Sequence, residues 1–181
     1  MTADNALMLS LGALALMAVL FGMILLIVLL RRRRSRTFVA RLCCTFASLL
    51  CIAAAAISFA FNMGFVRIIC LYFMVPLWYP VLLLISSVIA APKAVHFGWI
   101  RLSLVLSHLF FLASCVLMPD GAEDGSTYAF FGLVDAGGFS FIGMSGFDIL
   151  FYCSVMYFIF SLACMAGQLF YAVSYRYRLP D

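Results

Sequence analysis

The chain has 181 residues, 67% of them hydrophobic and only 10% charged, with a mean hydropathy of +1.20. A soluble domain carries about 25% charged residues and about half apolar ones, and a water-soluble fold of this length has no room to hide so much apolar surface. The composition excludes an ordinary soluble enzyme or nucleic-acid-binding domain and makes a lipid bilayer the expected solvent for one membrane domain covering residues 1–181.

A spanning helix needs about 20 apolar residues. Runs of that kind lie at about 6–30, 42–61, 68–91, 99–118 and 149–174. The expected fold is an all-α bundle of five transmembrane helices, with one 30-residue extracytoplasmic loop, 119–148, between the fourth and fifth. The first run has no positive charge before it. It ends in Arg31, Arg32, Arg33 and Arg34, followed by Arg36 and Arg41. It is too long for the core of a cleavable signal. Its basic flank abuts a spanning helix, so it reads as a topology determinant that touches anionic headgroups, not as a nucleic-acid motif. The second run reads as a packing helix. Cys44, Ser48, Ile52, Ala56 and Ala60 recur every four residues, with Ala47, Cys51 and Ala55 beside them, and small residues let helices approach closely. Ala163 and Gly167 repeat the device in the fifth run.

The third run holds Tyr72-Phe73-Met74-Val75-Pro76-Leu77-Trp78-Tyr79-Pro80 and is closed by Pro92. Pro76 and Pro80 are four apart, so they share a face near the expected midplane. Each removes an N–H and crowds the carbonyl four residues earlier. In lipid the freed carbonyls need another partner. Two readings follow: a kinked packing helix, or a small-molecule or lipid pocket lined by Pro76, Trp78, Tyr79, Pro80 and His108. The fourth run opens on Trp99 and carries His108 near its middle, where polar residues usually face the bundle.

Orientation follows from the loops, because cytoplasmic loops carry the excess of Lys and Arg. With the first loop inside, ten of the eleven basic residues fall inside and only Arg67 outside. Six of the seven acidic residues fall outside, and only Asp181 inside. The expected location is the plasma membrane, the inner membrane if the host is bacterial, with the N-terminus outside and the C-terminus in the cytoplasm.

Little in the chain points to chemistry. The seven cysteines lie in apolar runs with no metal-ligand spacing. No Asp, Glu, Lys or Arg falls inside a span, which argues against a proton-driven carrier. Gly143-Met144-Ser145-Gly146 is similar to the GxSG nucleophile motif of rhomboid intramembrane proteases. A serine nucleophile needs a base in reach; in rhomboids that base is a later His, and this chain has none after position 108. Ser145 three residues before Asp148 reads instead as a capping-box-like helix start. In the loop, the apolar runs 128–134 and 139–142 flank Asp135-Ala136-Gly137-Gly138, which suggests a hairpin, a re-entrant element or a lid. Phe130, Phe131, Phe139 and Phe141 are candidates for a partner-binding surface.

The expectation is a non-catalytic polytopic membrane protein with no cofactor and no metal. Its partners would be the bilayer and either a protein partner or a second copy. It would act as an accessory subunit of a membrane complex or as an immunity-type protein. The alternative is a carrier or channel component for a small neutral or lipidic solute, with its pocket at the third helix.

Overall fold

A computed structural model describes residues 35–61, 75–121, 127–130, 133–141 and 143–174. The first apolar run, the flank Arg31 to Arg34, the beginning of the third run and Phe131 lie outside the described residues, as do the side chains of Pro76 and its neighbours Val75 and Leu77.

The described residues are mostly helical. They form α1 (Arg36–Phe61), α2 (Val75–Ala94), α3 (Gly98–Leu117) and α4 (Gly146–Ser174). Three stretches, Arg36–Ser58, Gly98–Leu117 and Gly146–Ser174, are long and apolar enough to cross a membrane, and Trp78–Ala94 is a shorter apolar helix. α1 begins at Arg36, earlier than its apolar run, because Ser35 caps it: the Phe38 N–H donates to Ser35 Oγ at 3.3 Å. α2 does not stop at Pro92 as expected from the sequence; it continues to Ala94. Proline removes one hydrogen bond. Ala94 is buried beside Ala90, Ile100, Leu104 and Ala172, and this packing offsets the loss.

Hydrogen bonds set the directions. Ser48 of α1 meets His108 of α3, and Ser58 meets Cys115, so these helices are parallel. Tyr79 of α2 meets Ser161 of α4, and Lys93 meets Ala172, so this pair is parallel too. Ser107 meets Ser161 and Ser114 meets Ser154, which makes α3 antiparallel to α4. The helices therefore run up, down, up, down. α2 and α3 meet at the centre, with α1 and α4 on either flank.

The inward residues alternate in steps of four and three: 44, 48, 51, 55 and 58 on α1; 79, 83, 86 and 90 on α2; 100, 104, 107, 111 and 114 on α3; 161, 165, 168 and 172 on α4. This is the heptad spacing of helices that pack at shallow angles. The stripe of four read on α1 drifts away from this seam, because a step of four overshoots a 3.6-residue turn by about 40°. Ala56 is exposed in consequence, whereas Cys51 and Ala55 are buried. Ala163 is likewise exposed and Gly167 has open space beside it, so the α4 contact runs through Ser154, Ser161, Met165, Gln168 and Ala172 instead.

Between α3 and α4 the described residues form five short strands: β1 (Asp120–Gly121), β2 (Thr127–Ala129), β3 (Val134–Asp135), β4 (Ser140–Phe141) and β5 (Met144–Ser145). β1, β2 and β3 form one antiparallel sheet, and β4 and β5 form a separate hairpin. The Asp135–Gly138 segment is thus not the tip of a hairpin between the two apolar runs. It links two hairpins. The Gly137 N–H donates to Asp135 Oδ1 at 2.9 Å, and the Ala136 N–H to Thr127 O at 2.7 Å, so this link closes on itself and on β2.

Candidate functional site

The bundle interior carries many buried polar side chains, while large apolar ones face outward. Ser48, Ser86, Ser87, Ser107, His108, Ser154, Ser161 and Gln168 are buried, while Trp78, Leu82, Ile85, Leu109, Ile159 and Phe170 are exposed. One layer collects most of this polarity. Cys51, Leu83, Phe111 and Met165 belong to one apolar cluster; Ala90, Leu104 and Ala172, with Cys44 against them, belong to the other. One turn away from each, on all four helices, stand Ser48, Ser86-Ser87, Ser107-His108 and Gln168.

The two adjacent pairs divide the layer, because neighbouring residues on a helix point about 100° apart. On one side, His108 Nδ1 lies 2.7 Å from Leu104 O, and its Nε2 lies 2.9 Å from Ser48 Oγ and 3.5 Å from Ser87 Oγ. A carbonyl only accepts, so Nδ1 carries a proton. In the uncharged ring Nε2 then accepts from a serine hydroxyl. Ser48 has a second acceptor, Cys44 O at 2.9 Å, so the two compete for its one proton. On the other side, Gln168 Nε2 donates to Ser86 Oγ at 2.8 Å, and Ser107 Oγ lies 3.5 Å from Gln168 Oε1. Ser161 Oγ donates to Ser107 O at 2.6 Å, which leaves the Tyr79 hydroxyl as donor to Ser161.

Of the five pocket residues read from the sequence, the four whose side chains are described differ in their surroundings. Tyr79 is buried, its ring centroid 5.0 Å from Phe111 and 4.8 Å from Phe158. Pro80 is fully buried. Trp78 faces outward with 64% of its surface exposed. Its neighbour Tyr79 meets Ser161, so Trp78 stands level with the middle of α4. His108 joins the polar layer, and Ser107 beside it is linked to Tyr79 through Ser161.

The aromatics of the 119–148 loop separate by role. The Phe130 N–H donates to Val116 O at 3.0 Å, and the residue has φ 53°, in the left-handed region. This ties the loop to the end of α3. The Phe139 ring lies over Gly146, where a Cβ would come within 2.6 Å of the ring and closer still to Ala136 O. Phe139 is thus partly a packing residue. Phe141 is 65% exposed on β4, which pairs with β5, and Gly143 just before β5 takes φ 75°. Ser145 Oγ donates to Asp148 Oδ2 at 2.6 Å and accepts from the Asp148 N–H at 3.1 Å, so the GxSG serine is the helix cap.

Charge divides by end. Among the described residues, Arg36, Arg41, Lys93 and Arg101 lie where α1 and α3 begin and α2 and α4 finish, and Asp120, Asp135 and Asp148 lie at the other end. Arg36 and Arg41, the two topology determinants within the described residues, are both exposed.

Fold and site together define a class: an antiparallel helical bundle with a polar layer inside and an apolar exterior, compatible with insertion into a membrane. No protein family, curated protein or solved structure matches this chain.

Proposed function

We propose that the chain is a five-span plasma-membrane protein, N-terminus outside and C-terminus in the cytoplasm, that acts by binding another protein and not by catalysis. The polar layer inside an apolar exterior supports the membrane reading. In water the exposed Leu, Ile, Val and Phe side chains would be a severe liability. In lipid the hydroxyl and carbonyl pairs between helices are the expected way to hold helices together. Tyr152 and Tyr171 are both exposed on α4 and lie about 28 Å apart along its axis at 1.5 Å per residue, close to the hydrocarbon thickness of about 30 Å. The separation of charge by end supports the orientation.

The interaction reading rests on one observation above the others. Phe141 is held at a fixed hairpin yet leaves most of its ring uncovered, on the side of the molecule assigned to the outside. Aromatic anchors of this kind are typical binding hot spots. Every buried serine, His108 and Gln168 is engaged with the chain's own groups among the described residues, so none stands poised for a reaction. The carrier reading has less support, because Tyr79 and Pro80 are packed against the protein itself.

The test is recovery of a co-purifying protein in mild detergent beside thermal stability. Phe141→Ala is expected to lose the partner with no change in melting temperature. Truncating an aromatic anchor costs about 2 kcal/mol or more, about thirtyfold in affinity. Phe139→Ala is expected to lower the melting temperature. If Phe141→Ala melts early, or retains its partner in full, the loop is a lid and the interaction surface lies elsewhere.

A further inference from the structure

We propose that the basic end of the bundle holds one anionic phospholipid, seated in a notch between the start of α3 and the finish of α4. The notch has a volume of about 250 Å³ and is lined by Phe97, Trp99, Ile100 and Tyr171. Its walls suit the glycerol and upper acyl region of a lipid, since aromatic rings with a polar edge prefer the interfacial level. Trp99 and Tyr171 are exposed, so the notch opens to the side from which a lipid would enter.

Charge complementarity selects the headgroup. α3 opens on Gly98 with no acidic residue in its first turn and no side-chain cap at Phe97. Arg101 folds back over this start, its guanidinium 3.9 Å from the position of a Cβ on Gly98. An arginine fork is suited to a phosphodiester, and the leading N–H groups of a 20-residue helix add to the same field. Arg36, Arg41 and Lys93 stand at this end, and among the described residues no carboxylate does. A zwitterionic lipid would bring a cationic group into that field; phosphatidylglycerol or phosphatidylserine would bring none in excess.

The proposal rests on the membrane reading but not on a protein partner. The test is native mass spectrometry of the full chain in detergent, with phosphatidylglycerol and phosphatidylcholine of identical acyl chains, and with glycerol phosphate as the headgroup alone. The expected result is one phosphatidylglycerol retained per chain, about tenfold tighter than phosphatidylcholine, with glycerol phosphate unable to compete. Arg101→Gln and Trp99→Ala should each erase the preference; Arg36→Gln, at the same end on another helix, should keep it. Equal retention of the two lipids by the wild-type chain overturns the site while leaving its membrane insertion intact. Equal loss in Arg36→Gln and Arg101→Gln also overturns it, because the effect would then belong to the whole basic end. Effective competition by glycerol phosphate would replace the lipid with a soluble phosphate.

Discussion

Gln168 shows how much one side chain contributes to this interior. Its amide joins Ser86 on α2, and its carbonyl faces Ser107 on α3, so three helices share one residue. Interhelical hydrogen bonds in membrane proteins contribute about 0.6 kcal/mol on average and about 1.7 at most. Gln168→Leu is therefore expected to cost about 1 kcal/mol, read as a modest fall in melting temperature in detergent; no change would mean that the layer is not a stabilising element. Tyr79→Phe removes one hydroxyl but keeps the ring contacts with Phe111 and Phe158, and should cost about 1 kcal/mol. Tyr79→Ala empties the site and should cost about 3 kcal/mol or more. Comparable losses for the two variants would show that the hydroxyl, not the ring, carries this contact. Gly146 has no room at all. Gly146→Ala drives a methyl group into Ala136 O and the Phe139 ring. Overpacking of this kind costs about 1–3 kcal/mol, and the variant should show early proteolysis of the loop while the helices persist.

At the scale of elements, α1, α3 and α4 were legible because each is a long apolar run bounded by Arg, Pro or a cap. The start of α4 was legible as a cap: Ser145 accepts the Asp148 N–H as its spacing implies, while the Asp148 carboxylate meets the Ser145 hydroxyl. The inward faces were harder to read. In lipid both faces of a helix are apolar or small, so hydrophobic periodicity fades, and the seam is marked by serines in steps of four and three. Ser86-Ser87 beside Ser107-His108 is the available signal, and of these four only His108 stands out in the sequence as a polar group facing the bundle. The pairing of Phe130, Phe139 and Phe141 with particular elements was not legible, since two-residue strands carry almost no pattern and the link at Asp135–Gly138 has the composition of a hairpin turn. The element-scale prediction concerns that link. Gly137→Ala brings a methyl group within 2.9 Å of Thr127 Oγ1 and 3.3 Å of Asp135 Oδ1. It should loosen the three-stranded sheet, seen as faster amide exchange at Tyr128 and Ala129, and leave the exchange of α3 unchanged. Uniform slowing or speeding across the molecule would mean that the loop and bundle form one cooperative unit.

For the whole molecule, polarity and charge together define the account. Polar groups converge on one layer between two apolar clusters, apolar groups face outward, and basic and acidic residues occupy opposite ends of the described bundle. These three facts fit a bundle crossing a bilayer with its strands outside. The most direct measurement is labelling of intact cells with a membrane-impermeant maleimide. Ser140→Cys lies on exposed β4, and Ser35→Cys lies at the exposed start of α1. The account predicts that the cysteine at 140 is labelled in sealed cells and the cysteine at 35 only after permeabilisation. Labelling at 35 in sealed cells, or equal labelling at both positions, would contradict it.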